Sequence, residues 1–162
     1  MAADEHLSLD VDTTMLEEMM RSLPDAVARK AMRKALRAAG QEILNPMITL
    51  APERTGTPTP KGDSLPPGVL KADLGTRIRL EEDGGSVFIG PSRDTAHVAR
   101  WINDGWTLTG HKPGKKTIRD IPGKHFIEGA ADEGAQRAVN AFTDTLMEEI
   151  QQATDQQGVS ND

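Results

Sequence analysis

Three of the histidines, His97, His111 and His125, could in principle bind a metal or act as acid–base catalysts. None has a second ligand three or four positions along the chain, there is no His-Glu-x-x-His motif, and cysteine is absent. Zinc sites need ligands at such spacings. We therefore expect capping, surface or interface histidines and no bound metal.

Other catalytic patterns are also missing from the sequence. There is no Gly-x-Ser-x-Gly nucleophile motif, and "GKKT" at 114–117 lacks the upstream glycine that a phosphate-binding loop requires. The acidic neighbours Glu81–Glu82 and Glu148–Glu149 point to different faces of their elements, so they are solvated charges rather than acid–base pairs. The sequence predicts a protein that is not an enzyme and uses no cofactor.

A basic stripe runs along the longest helical pattern. Arg29, Arg33 and Arg37 repeat every four residues, with Lys30 and Lys34 beside them. Like charges at this spacing repel by roughly a few tenths of a kcal/mol per pair. The stripe is a solvated face, a site for an acidic partner, or a face toward phosphate. The last helix supplies carboxylates, and the sequence leaves open whether they pair within the subunit or with a neighbour: Asp144, Glu148 and Glu149.

A second basic feature is the segment from Trp106 to Lys124. It carries five basic side chains against one acid, Asp120: Lys112, Lys115, Lys116, Arg119 and Lys124. The segment is solvated, contacts DNA backbone without reading sequence, or contacts an acidic protein surface. Because aromatic residues are not interleaved with the lysines, base stacking is not indicated. Of the two tryptophans, we expect Trp101 in the core and Trp106 at an interface.

The composition predicts one domain with a thin core. The chain has 162 residues, of which 36% are hydrophobic and 3% aromatic, so neighbouring subunits could complete the fold. The net charge of −6 argues against wholesale nucleic-acid binding but leaves room for a local basic patch. The absence of cysteine fits a reducing cytoplasm, and we expect neither a membrane span nor a signal peptide.

The elements that must position these residues follow from periodicity. A long helix begins after Pro24, should kink or end near Pro46, and gives way at "APERTG" (51–56) to a Pro- and Gly-rich arm. "TRIRLEED" and "SVFIGP" around Gly84–Gly85 predict a β-hairpin. A helix then runs from an Asp94 or Thr95 cap to Gly105, and a last helix spans about 126–152.

The resulting prediction is an α+β fold in which a small antiparallel sheet packs with a long N-terminal and a long C-terminal helix. Residues 1–152 form a single domain with long loops at 51–68 and 106–124, and residues 153–162 form a flexible tail. Within the second loop we expect strand pieces around Ile118 and Ile121. A short strand or arm at "HLSLDV" and a short helix at "DTTMLEEMMRSL" precede the long helix.

The order of motifs resembles the neck, or tail-completion, proteins of long-tailed double-stranded DNA bacteriophages. The motifs are "APERTG" ending a long helix, "LKADL", a hairpin of "RIRL" and "VFIG", "AHVARWINDGW", and "GKHFIEGAAD" opening the last helix. The resemblance covers about residues 25–150. Thr95-Ala96-His97 replaces the family's usual tyrosine, and His125 replaces a proline before Phe126.

The resemblance implies a structural virion protein without chemistry. Such proteins assemble as a ring, commonly six-fold, at the head–tail junction, join or complete the tail, and keep the DNA channel open. Partners would be further copies, a head-side connector or stopper, tail-terminator or tail-tube proteins, and DNA passing without sequence reading. The protein would be made in the host cytoplasm and reside in the virion neck.

The resemblance also gives the candidate residues a role. The arm and the basic loop would be docking elements, ordered on neighbours. The candidate interface residues are Arg54, Thr55, Gly56, Trp106, Lys112, Lys115, Lys116 and Phe126. Arg29, Arg33 and Arg37 would face a charged partner or the DNA channel. The alternatives are a tail terminator or head-closure stopper, a DNA-binding regulatory module, and a small hydrolase whose three histidines converge.

Overall fold

The computed structural model describes residues 18, 21, 23–53, 67–81, 84–109 and 117–159. It contains four helices within these residues: α1 (Asp25–Leu50), α2 (Val69–Asp73), α3 (Ala96–Asp104) and α4 (Phe126–Val159). Two antiparallel hairpins lie between them, one of β1 (Gly75–Leu80) and β2 (Gly85–Gly90), the other of β3 (Gly105–Thr109) and β4 (Thr117–Pro122). The predicted α+β class, with a long helix toward each end of the chain, is confirmed.

Helix α1 starts and stops at prolines. The carbonyl of Pro24 accepts hydrogen bonds from the backbone N–H groups of Val27 and Ala28, at 2.8 and 3.0 Å. The helix runs through Pro46, where we expected a kink or an end near Asn45, and finishes at Leu50 before "APERTG". Pro46 is buried and Met47 is part of the core, so packing holds this turn in spite of the missing N–H.

Helices α1 and α4 pack side by side in opposite directions. The ion pair between Lys34 and Glu149 joins them near one end, and the pair between Glu42 and Arg137 joins them farther along. Just beyond the second ion pair the contact is close, because a methyl group added at Gly134 would lie 2.7 Å from the carbonyl oxygen of Glu42. The small residues of the two stripes therefore let the backbones approach, as their spacing predicted.

Two clusters of buried side chains form the core. One lies between α1 and α4 and contains Leu23, Ala31, Ala35, Leu146 and Ile150. The other joins the C-terminal half of α1 to the middle of the chain and contains Leu44, Met47, Ala51, Leu70, Leu74, Ala99, Phe126 and Ala130. No aromatic side chain belongs to the first cluster's buried set, which agrees with the thin core expected from composition.

The first hairpin covers only the C-terminal part of α1. Its register pairs Ile78 with Val87, as the alternation predicted, and its inner face packs on the helix at Gly40. A methyl group at Gly40 would lie 2.8 Å from Val87 Cγ2. At the turn, Gly85 packs beside Leu36. Arg29 and Arg33 precede this contact along α1.

The second hairpin agrees only in part with the loop expected over 106–124. Strand β4 includes Ile118 and Ile121, where strand pieces were expected. The two ends of that segment pair as β3 and β4, with a register irregularity at Leu108–Thr109. Residues 110–116 lie outside the described residues, as do 54–66 of the arm and the "HLSLDV" segment. Of the predicted first helix, Glu18, Arg21 and Leu23 are described; Glu18 and Arg21 are helical, and Leu23 lies in a bend. Helix α4 continues to Val159, beyond the expected end near Gln152.

Candidate functional site

The basic stripe of α1 forms an open groove on the protein surface. Its members are exposed, and together with Ala26 they line a shallow space of about 320 Å³: Arg29, Lys30, Arg33, Lys34 and Arg37. Lys34 makes an ion pair with Glu149 of α4, with Nζ 2.5 Å from Oε1. Among the residues that the structure describes, the three arginines have no carboxylate partner.

The carboxylates of α4 divide into two groups, which answers a question that the sequence left open. Glu149 pairs within the subunit with Lys34. Asp144, Glu148 and Asp155 are exposed, and within the described part of the chain no basic side chain reaches them. Glu148 accepts a hydrogen bond from Gln152 Nε2, and Asp155 accepts one from Gln151 Nε2. Part of this acidic surface is therefore free for a partner.

Three aromatic side chains are exposed, and the exposure of Trp101 contradicts a prediction made from the sequence. Trp101 was expected in the core, but it is 56% exposed, with His97 stacked edge-on at 5.3 Å between ring centroids. The reason is that Ala99 and Asn103 are the buried residues of α3, and Trp101 lies about 200° round the helix from each. Trp106 is 41% exposed, and Phe88 on β2, which the sequence analysis did not single out, is 58% exposed.

The other candidate interface residues fall into two groups. The Phe126 side chain is only 2% exposed and packs inside the protomer with the second core cluster. Its side chain is therefore not part of the protomer's surface. The remaining candidates, and His111, lie outside the described residues: Arg54, Thr55, Gly56, Lys112, Lys115 and Lys116.

Asn103 organises the junction between α3 and α4, a role that the sequence analysis missed. This buried side chain accepts a hydrogen bond from the backbone N–H of Ile127 at 3.0 Å, in the first turn of α4. Its amide nitrogen donates to Asp104 Oδ1 and Glu128 Oε1, both at 2.9 Å. The sequence signal for this role is a polar residue two positions before Gly105, the glycine that ends α3 with a φ of 83°.

Asp73 fastens α2 to the start of α3. Its Oδ2 accepts hydrogen bonds from the Thr95 hydroxyl and from the backbone N–H of Ser92, the latter at 2.8 Å. These bonds, that of Thr95 first, lower the pKa of the Asp73 carboxyl below its ordinary value. The arrangement positions the predicted cap residue Thr95, whose own side chain makes no cap hydrogen bond.

Metal chemistry finds no support in the described geometry. Within the described residues, no three His, Asp or Glu side chains lie close enough together to hold an ion. His97 stacks on Trp101, and His125 is exposed just before α4, at φ of 47°. As for membranes, the described helices include none with the length and apolar character needed for a crossing.

A family comparison complements this geometry. The sequence model of the HK97-gp10-like proteins, described as the tail component gp10 of bacteriophage HK97, matches residues 14–105, more than half of the chain. The chain belongs to this family. The HK97-gp10-like match runs from before α1 to the end of α3, and thus includes the basic stripe and the first hairpin.

Membership gives the chain a structural role in the phage tail or neck and places it in the virion, among other virion proteins. This agrees with the family resemblance read from the order of motifs. No curated protein and no solved structure matches the chain.

Proposed function

We propose that this HK97-gp10-like protein is a neck, or tail-completion, protein that assembles as a ring at the head–tail junction. The ring, six-fold by the family resemblance, joins the tail to the filled head and keeps the DNA channel continuous. The observation that carries the proposal is the match to a phage tail-component family over residues 14–105. The protein acts by binding, and we assign it no catalytic residue, metal or cofactor.

The exposed aromatic residues support an assembling protomer. The chain has three Phe and two Trp, and three of these five side chains, Phe88, Trp101 and Trp106, are exposed in the free protomer. Large aromatic side chains on a surface commonly mark contacts with other proteins. A chain with so few aromatics that leaves most of them outside its core fits a protomer completed by neighbours.

The two segments on either side of the second and third helices would make the outer contacts. The arm at 51–68 and the tip of the second hairpin, with Lys112, Lys115 and Lys116, would dock on the head-side connector or stopper and on tail-terminator or tail-tube proteins. Ordering such segments costs conformational entropy, which the contacts made on assembly offset. DNA would pass through the ring without its sequence being read.

Electron microscopy of virions tests the location. A tag placed after Asp162 and labelled with gold should mark the neck, between head and tail, in every labelled particle. Labelling along the tail tube, at the distal tip, or nowhere on the virion would contradict the proposal.

A tail terminator and a head-closure stopper would share the location in the neck. They are separated by mixing the purified protein with isolated tails and with isolated heads, and a neck protein that completes tails should bind the tails first.

The runner-up is a DNA-binding regulatory module, and the exposed basic stripe of α1 is the observation that favours it. Such a module would bind duplex DNA through Arg29, Arg33 and Arg37. The logarithm of its binding constant would fall with the logarithm of salt concentration by about 0.9 per phosphate contact. The net charge of −6 and the family match favour the neck protein.

A further inference from the structure

We infer that two charged stripes on opposite sides of the protomer form one contact between successive copies of this chain. The basic stripe contributes Arg29, Lys30, Arg33 and Arg37 of α1, since its Lys34 pairs with Glu149 within the subunit. The acidic stripe is Asp144, Glu148 and Asp155 on α4. The basic stripe of one copy would meet the acidic stripe of the next. This inference rests on the proposed ring and identifies the surfaces that close it.

The two stripes face away from each other because of where the helices meet. Ala31 and Ala35 of α1 pack against Leu146 and Ile150 of α4. Residues two positions apart lie about 200° apart round a helix. Arg33 is two positions from both alanines, so it lies on the side of α1 that faces away from α4.

The same relation holds on the other helix. Glu148 is two positions from both Leu146 and Ile150, and Asp144 is two positions before Leu146. These carboxylates therefore lie on the side of α4 that faces away from α1. Complementary surfaces on opposite sides of a subunit are what a head-to-tail contact requires, since each copy then presents one surface to each neighbour.

The stripes also lie at one level along the helix pair. The ion pair between Lys34 and Glu149 fixes this level, and Arg33 and Glu148 are one residue away from it. A head-to-tail contact between surfaces at one level can close into a ring.

The shapes of the two surfaces favour a protein neighbour. Met147 is 49% exposed and lies three positions after Asp144, so an apolar side chain neighbours that carboxylate on the surface of α4. The basic surface offers an open groove of about 320 Å³ lined by the stems of its Arg and Lys side chains and by Ala26. A phosphate backbone would use the positive charges and leave the complementary acidic surface unexplained.

Charge reversal with complementation tests the contact. One variant carries Arg29→Glu and Arg33→Glu, and the other carries Asp144→Lys and Glu148→Lys. All four positions are exposed, so both variants should keep the wild-type circular dichroism and melting curve. In either variant alone, two surfaces of the same charge would meet at each junction between copies. Self-association should therefore weaken by on the order of a hundredfold. Mass is measured by sedimentation velocity over a concentration series, alone and with tail tubes.

An equal mixture of the two variants is the decisive sample. Each junction in an alternating ring would then join opposite charges again, so the mixture should recover the mass of the wild-type assembly. Recovery also shows that both variants are folded. The assembly should dissociate as salt is raised, because exposed charges are screened within about 10 Å at 0.1 M.

Disulfide trapping gives a second readout, because the chain has no cysteine of its own. A chain with both Arg33→Cys and Glu148→Cys should form covalent head-to-tail oligomers under mild oxidation. Either single substitution should stop at dimers or monomers. A bond within one chain is prevented because the two positions face opposite sides of the helix pair.

The outcomes separate the inference from the proposed function. If the reversed variants form rings as well as the wild type, the contact lies elsewhere and the inference fails while the neck function stands. If duplex DNA binding is lost in the Arg-reversed variant and the mixture recovers no assembly, the stripe faces DNA and the inference also fails. If the wild type never assembles, alone or with tail components, the proposed function fails as well.

Discussion

At the residue scale, Asn103 is the clearest case of one side chain that joins two elements. The chain turns sharply at Gly105, and the second hairpin returns to bring the start of α4 beside the end of α3. The Lys124 and His125 backbone N–H groups bond to the carbonyls of Ile102 and Asn103. The Asn103 side chain then accepts from the first turn of α4, where a helix has no internal partner for its N–H groups.

Replacing Asn103 by alanine should lower the free energy of unfolding by about 1–3 kcal/mol, because a helix cap and a buried amide are lost together. Urea unfolding at pH 7 measures the change. Asn103→Asp is the matched control, since it keeps an acceptor for Ile127 but places a carboxylate against Asp104 and Glu128. Its stability at pH 7 should also be low, because the new carboxylate would repel those of Asp104 and Glu128. An alanine variant as stable as the wild type would refute this role.

Asp73 should make the stability of the protein depend on acidity. Hydrogen bonds from Thr95 and Ser92 lower the pKa of its carboxyl below the ordinary 3.8. The charged form therefore stabilises the fold above pH 3.8, and this contribution is lost as the pH falls through the lower, folded-state pKa. Asp73→Asn should be less stable than the wild type at neutral pH. It should also show a shallower loss of stability below pH 3.8.

The lowered pKa of Asp73 can be tested separately from the stability that it contributes. Thr95→Val removes the hydroxyl and keeps the shape of the side chain, so it should raise the pKa of Asp73 toward its ordinary value. The titration of the Asp73 carboxyl carbon, followed by NMR in wild type and variant, measures this directly. If the wild-type Asp73 carboxyl titrates at its ordinary pKa, the hydrogen bonds from Thr95 and Ser92 that join α2 to the start of α3 are ruled out.

At the scale of elements, the sequence predicted what local chemistry decides. Alternation around Gly84–Gly85 was enough for the first hairpin, and "APERTG" was enough for the end of α1. Strand β4 lies where strand pieces were expected, around Ile118 and Ile121. Its partner β3 was not predicted, because only the pairing across the lysine-rich segment defines it. Of the two outcomes expected at Pro46, a helix end near Asn45 is wrong, because the helix continues to Leu50 with Pro46 buried in the core, which no local pattern records.

The candidate site was predictable only in part, for the same reason. The charge stripes are visible in the sequence, but the opposite directions in which they face follow from the pairing of α1 with α4. Hydrophobicity assigned Trp101 to the core. The buried position went to Asn103 instead, because the start of α4 requires a hydrogen-bond acceptor there.

The closeness of α1 and α4 should depend on one glycine. Gly134→Ala should destabilise the protein by about 1–3 kcal/mol, because the added methyl group meets the backbone of Glu42 and Ile43 and cannot be relieved by moving a side chain. Gly129→Ala is the control in the same helix, since its methyl group would lie 3.4 Å from Leu50 Cδ1. That control should gain roughly 0.5–1 kcal/mol from helix propensity.

Thermal melts of the two glycine variants distinguish packing from propensity. Opposite shifts of the melting temperature are expected. If both variants were stabilised, α1 and α4 would not be in backbone contact at Gly134, and the level of the two charge stripes would have to be reconsidered.

At the scale of the whole molecule, the protomer is a pair of antiparallel helices with two hairpins that leave much of its surface chemistry unsatisfied. Its charge stripes face opposite sides, and its exposed aromatics Phe88, Trp101 and Trp106 lie on the elements between the helices. A free-standing protein gains nothing from these features. A ring component can use each of them in contacts with neighbours.

Trp106 offers an optical test of such contacts. The chain has two tryptophans, so in a Trp101→Phe variant the fluorescence reports Trp106 alone. Trp106 is 41% exposed in the protomer, and burial at an interface should shift its emission to shorter wavelength when tail components are added. The reciprocal variant, Trp106→Phe, reports Trp101. Unchanged emission from Trp106 in a demonstrably assembled sample would exclude it from the interface.

The central claim, that the protein is a ring component of the phage neck, is tested most directly by its mass in solution. Light scattering across a concentration series should be recorded for the purified protein alone and with tail tubes or tail-terminator protein. A neck protein should give ring-sized species, either alone or only when tail components are present. A monomer whose mass is unchanged by every virion component would contradict the claim.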